Sequence, residues 1–169
     1  MIDGKYPIGQ FESVEVISRE QVAEWIEEIH LLPEQLKEVV VDLNEEDLNR
    51  TYRPNSWTVR QLVHHIADSH LNSYIRIKLA LTEEKPTIKP YEEAEWAKLP
   101  DYNLPMSVSI QLIHSLHERW VYLLQNLTDE QLKKSFHHPV LGMITVENSI
   151  GTYAWHGKHH LAHIKNALD

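Results

Sequence analysis

Four long stretches of the chain place apolar side chains at intervals of three and four, and alternation of apolar with polar residues is almost absent. A period near 3.6 marks helices that bury one face, so the frame is helical and not a sheet. The first stretch opens at Ser18, whose spacing to Gln21 is a capping-box pattern, and continues through Val22, Trp25, Ile26 and Ile29. Pro33 is expected to kink or split it before Leu36, Val39 and Val40. Thr58 with Gln61 is a second cap signal, for a helix through Val59, Leu62, Val63, Ile66, Tyr74, Ile77 and Leu81 that should end near Thr82. Ala67, Leu71 and Ile75 make this helix apolar nearly all round, as in one buried between neighbours or at a subunit interface. A third helix is expected from about Ser107 to Leu124, and a fourth from Thr145 to Leu168.

The connections complete the architecture. Lys85 to Pro105 holds four prolines and reads as a long crossover with at most a short helix around Glu92 to Leu99. Phe136 to Thr145, with Pro139 and Gly142, reads as a turn or small hairpin. Leu43 to Leu48 and Leu127 to Leu132 echo each other, and each precedes a Thr-capped helix that carries histidines. The expected fold is all-α: an antiparallel four-helix bundle with a long crossover between the second and third long helices. No linker or low-complexity tract divides the chain, so residues 1–169 form one domain. In an up-and-down bundle the second and fourth long helices would run parallel and could share one site between them.

Composition excludes several chemistries. The chain has no cysteine, which removes disulfides, thiolate nucleophiles and sulfur-ligated metals together. Lys and Arg number 16 against 25 Asp and Glu, a net charge of −9, which argues against a nucleic-acid partner. No run approaches the roughly 20 apolar residues of a membrane span. Met1 to Lys5 lacks the basic and then apolar regions of a secretory leader, so a cytoplasmic protein with no membrane partner is expected.

Twelve histidines are the outstanding feature. His156, His159, His160 and His163 fall within an arc of roughly 100° on the fourth helix. Residues four apart stack on a helix, so His156 with His160, or His159 with His163, can place two nitrogens on one metal ion. His64 and His65 on the second long helix, with His70 further along, offer a third ligand from a neighbouring helix. His30, His114, His117, His137 and His138 read as ordinary structural or solvated residues, and Trp57 and Trp155 as core packing before site wall.

Tyr6-Pro7-Ile8-Gly9, Trp57-Thr58-Val59-Arg60-Gln61, Val63-His64-His65-Ile66-Ala67-Asp68-Ser69-His70, Asn72-Ser73-Tyr74-Ile75-Arg76 and Trp155-His156 together resemble the DinB/YfiT-like family. The resemblance runs from residue 6 nearly to the C-terminus. It implies a four-helix bundle, typically dimeric, with a divalent metal held by three histidines. Matched residue by residue, the ligands fall on His65, His156 and His160; the resemblance, not the spacing, selects them. Gly157 and Lys158 follow His156 where relatives can carry further polar residues, a departure that bears on the substrate-facing wall.

Three neutral imidazoles leave one position open on a metal ion, the arrangement of a catalytic site. All-imidazole ligation suits several divalent ions, zinc or nickel foremost. Asp68, one turn beyond His65, could orient an imidazole or act as a base, and could equally be a helix-pairing carboxylate. There is no His-Glu-x-x-His, which disfavours peptide hydrolysis. The resemblance implies a metal-dependent hydrolase in which the ion activates water. The alternatives are a bacillithiol-type S-transferase acting through a low-molecular-weight thiol, and a non-catalytic metal-binding bundle. The expected partners are a small-molecule substrate and a second copy of the chain.

Overall fold

The computed structural model describes residues 4–14 and 16–169; Met1 to Asp3, on which the reading of the leader partly rests, lie outside them. Four long helices form the frame: α1 (Arg19–Val40), α3 (Val59–Thr82), α5 (Met106–Gln125) and α7 (Val146–Leu168). Single-turn helices α2 (Glu45–Leu48), α4 (Glu93–Trp96) and α6 (Asp129–Leu132) and a 3-10 turn at Pro100–Asn103 lie in the connections. A two-stranded antiparallel hairpin, β1 (Ser135–His138) and β2 (Gly142–Thr145), pairs Phe136 with Ile144. No described helix is long and apolar enough to cross a membrane.

The caps act where the sequence places them. Ser18 Oγ accepts the Gln21 amide, Thr58 and Gln61 make a reciprocal capping box, and Thr145 Oγ1 accepts the Asn148 amide. The echoed segments become α2 and α6, capped by Asn44 and Thr128. Pro33 does not split α1, which is continuous from Arg19 to Val40. Its flanking turns bury Ile29, Leu32 and Leu36, and that packing holds the helix together across the missing N–H.

Each long helix packs on two others. α1 and α3 each contact α5 and α7, and consecutive helices α1 and α3 face each other across a diagonal. Directions follow from the contacts. His64 meets Ser109 and His70 meets His117, so α3 and α5 run parallel. His65 meets His156 while Ser73 meets Ser149, so α3 and α7 run antiparallel. Gly151 packs on Trp25 and Gly157 on Leu32, so α7 runs with α1. The expectation that the two His-bearing helices are parallel is therefore corrected. The cause is the crossover: α3 is about 36 Å long, and the connection from Glu83 to Pro105 can extend about 75 Å. It returns the chain along the bundle, starts α5 in the direction of α3, and so reverses α7.

The apolar core lies in two parts. One gathers Ile26, Ile77, Trp120, Leu124 and Ile150; the other gathers Leu36, Leu62, Ile66, Ile113 and Ile164. Between them, at the middle of α3, α5 and α7, runs a polar layer of His65, His70, His117, His156 and His160 with Ser69, Ser73 and Ser149. A bundle that interrupts its own core with imidazoles gives up apolar burial there and gains a site.

Candidate metal centre

α3 and α7 bring three imidazoles to one point. His65, His156 and His160 can each offer a nitrogen so that all three lie within 4.8 Å of one another, among the described residues. His65 Nε2 and His156 Nε2 are 3.2 Å apart. His156 and His160 are consecutive turns of α7, their rings edge to face at 4.4 Å. Trp57 covers the outer side of His65, with ring centroids 4.6 Å apart. His65 is fully buried, whereas His156 keeps partial access to solvent.

All three rings are neutral. Burial lowers the pKa of His65 to about 4. His156 and His160 lie well below the usual imidazole value, first through burial and then through neighbouring histidines. Neutral imidazole is the form that ligates a metal. An imidazole kept neutral on folding contributes stability that is complete above its unfolded pKa of 6.5 and is lost as pH falls towards 4, because the unfolded chain takes up the proton first. Unfolding free energy of the metal-free protein should therefore fall by about 1.4 kcal/mol per pH unit through His65 within that window, and His156 and His160 add to the fall in the same direction. Urea titrations at pH 7.5, 6 and 5 measure it, and a flat profile would contradict neutral burial.

A second trio, His159, His160 and His163, shares His160. Here His163 is engaged at both nitrogens: Nε2 donates to the Lys5 carbonyl at 3.2 Å, and Nδ1 lies 3.3 Å from His160 Nδ1. Since the carbonyl can only accept, His163 Nδ1 takes the proton of His160 Nδ1, which leaves the lone pair of His160 on Nε2. Tyr52 stacks on His163 at 3.8 Å and Trp155 on His159 at 4.4 Å. Tyr52, His159 and His163 wall a cleft of about 320 Å³ that reaches His160 and is bordered by Lys5, Arg53 and Asn55. Asn55 adopts φ 62°, a left-handed turn that Asn tolerates.

The neighbouring residues sort clearly. His64 is spoken for, its Nδ1 2.7 Å from Ser109 Oγ and its Nε2 3.1 Å from the Leu104 carbonyl. Asp68 accepts a hydrogen bond from the Tyr102 hydroxyl at 2.7 Å, and burial raises its pKa. No hydrogen bond joins its carboxylate to a described imidazole, and its contact is with the crossover. Trp57 packs against the second apolar cluster, as expected, and also lies against His65, while Trp155 stacks on His159. Gly157 and Lys158 turn away: Gly157 packs on Leu32, and Lys158 pairs with Glu28 at 2.6 Å, both on α1. They therefore take no part in the site wall. His117, read from the sequence as ordinary, is buried beside His70. Its place on the same face as Ile113 and Trp120 was the signal for that burial.

The model of the DinB superfamily matches residues 19–164. The chain belongs to the DinB superfamily. Among its relatives, a protein of Halalkalibacterium halodurans is 56% identical, with 99% of this chain and 98% of that one covered. One from Oceanobacillus iheyensis is also 56% identical, over 95% and 93% of the two chains. Both bear the name "putative metal-dependent hydrolase". The solved structure of YfiT from Bacillus subtilis superposes with a TM-score of 0.94 at 48% identity, over 97% of this chain and 95% of that one. It is described as "a probable metal-dependent hydrolase with an unusual four-helix bundle topology". The α1–α3 diagonal and the parallel α3 and α5 set this chain apart from a simple up-and-down bundle.

Proposed function

We propose that this DinB-superfamily chain is a metal-dependent hydrolase whose single divalent ion, zinc or nickel, is held by His65, His156 and His160. The observation that carries the reading is two neutral imidazoles facing each other, Nε2 to Nε2 at 3.2 Å, with a third beside them. That donor set fits a cation: three imidazole nitrogens lie within 4.8 Å of one another, while His64 has both nitrogens engaged by Ser109 and Leu104. An ion held by these three residues would supply Lewis acidity and lower the pKa of a water towards about 7.

The chain's own residues do the rest. Trp57 shields His65 from solvent and fixes its ring plane. The cleft beside His160 admits a small molecule, and the cations Lys5 and Arg53 at its border favour a substrate with a negative or strongly polar group. Asp68 is best read as a positioning carboxylate that ties the crossover to α3 through Tyr102. Ile75, Leu112 and Tyr122, exposed on α3 and α5, support a homodimer, which sedimentation tests.

The test is hydrolysis of a panel of activated esters and amides by untagged protein loaded with zinc, nickel or neither. The expected result is turnover proportional to metal content and abolished by chelation. One feature favours a second reading, transfer of a low-molecular-weight thiol: the basic border of the cleft suits an anionic cosubstrate, and the chain has no cysteine of its own. Consumption of an electrophile only with added thiol, and a charge-transfer band on the cobalt-substituted protein with that thiol, would select this reading. Neither activity, together with one firmly held ion that exchanges no ligand, would select a non-catalytic metal-binding bundle.

A further inference from the structure

Behind the trio, three imidazoles and a backbone carbonyl form an unbroken chain. Pro33 has no N–H, so the Ile29 carbonyl, four residues earlier in α1, lacks its helical donor. His117 Nδ1 occupies that place at 2.7 Å. His117 Nε2 lies 2.9 Å from His70 Nδ1, and His70 Nε2 lies 3.1 Å from His156 Nδ1. His70 and His117 are both inaccessible to solvent, their rings stacked 7° from parallel.

A carbonyl only accepts, and each hydrogen bond holds one proton. With neutral rings the direction of the whole chain follows. His117 donates from Nδ1 to Ile29, His70 from Nδ1 to His117, and His156 from Nδ1 to His70. The lone pair of His156 is thereby left on Nε2, the atom facing His65.

We propose that His70 and His117 are positioning residues which, anchored on the carbonyl that Pro33 frees, fix the tautomer of His156 and aim its Nε2 lone pair at the metal. The inference rests on the reading of His156 as a ligand. A ring without such partners carries its proton on Nε2 part of the time, and that form cannot bind until the proton moves. The relay removes this loss in advance and locks the ring plane. His65 supplies the contrast, since its buried Nδ1 has no hydrogen-bond partner among the described residues. The fold thus prepares the two α7 ligands, His156 through His70 and His117 and His160 through His163, and leaves the α3 ligand to be oriented by Trp57 and the ion.

Long-range proton–nitrogen correlation spectra of the metal-free, nitrogen-15-labelled chain report which ring nitrogen carries each proton. The expected result is Nδ1–H on His70, His117 and His156, the minor tautomer of free histidine. A proton on Nε2 of His70 or His156 would overturn the relay. In zinc competition against a chromophoric chelator, His117→Phe should bind roughly 10- to 100-fold more weakly. His117→Gln, whose amide both donates and accepts, should recover most of that loss. Equal affinity in wild type and His117→Phe would also overturn the proposal, and if His117→Phe fails to fold, the wild-type spectrum decides alone. The two readings fail separately. Three Nδ1–H rings in a protein that binds no zinc contradict the metal site and leave the relay standing. Firm zinc binding with His156 protonated on Nε2 in the metal-free state contradicts the relay and leaves the metal site standing.

Discussion

His160→Ala is expected to lower hydrolysis of the best ester substrate by on the order of 10³-fold, to near the rate of metal-stripped wild type. His160 is the residue where three features meet: the trio, the hydrogen bond from its Nδ1 to His163, and the inner end of the cleft. Its loss would remove one of the three residues proposed to hold the ion, at the inner end of the cleft. The comparison variant is His64→Ala. His64 is as buried as the ligands but bonds Ser109 and Leu104, so its loss should reduce stability and spare the metal-dependent rate. Equal loss of rate in both variants would mean that activity follows packing and not ligation.

The largest stability effect is expected at Trp120. This side chain is fully buried and belongs to the apolar cluster nearer the hairpin. It meets His70, His117 and Tyr153 edge to face at 5.7, 5.6 and 5.9 Å. Trp120→Ala should cost about 3 to 5 kcal/mol, through lost transfer energy and the cavity left behind. At about 2 to 4 °C per kcal/mol for a domain of this size, the unfolding midpoint should drop by roughly 6 to 20 °C. The measurement belongs on metal-free protein, because a bound ion would add its own linkage. Leu31→Ala, at an exposed position of α1, should change stability by no more than about 0.5 kcal/mol. A Trp120→Ala midpoint as close to wild type as that of Leu31→Ala would show that the polar layer, not the aromatic beside it, holds this half of the bundle.

What could be read from the sequence was whatever is local. Ser18, Thr58 and Thr145 announce their helices because a cap is a bond between residues three apart. The hairpin at Phe136 to Thr145 and the single turn at Glu93 were legible for the same reason. Chain direction was not, because periodicity defines which face of a helix is buried and says nothing about which neighbour buries it. The length of the Glu83 to Pro105 connection was the available signal for a parallel α3 and α5.

The site divides in the same way. Four histidines on one face of α7 follow from helix geometry alone. The choice between His64 and His65 does not, since both point into the bundle. What sets the two apart is α5 and the crossover, whose Ser109 and Leu104 engage both nitrogens of His64. His117 read as an ordinary residue because its helix position signals burial but not its partners; its meaning depends on Pro33, a distant residue on another helix. Gly157 and Lys158 followed a ligand in sequence yet belong to the α1 contact, because successive helix positions point about 100° apart.

The most direct measurement is metal content by mass spectrometry on untagged protein, after loosely held ions are removed, for wild type, His65→Ala and His64→Ala. The account predicts about one divalent ion per chain in wild type and His64→Ala, and none in His65→Ala. No firmly held ion in wild type, or one that survives His65→Ala, would contradict it.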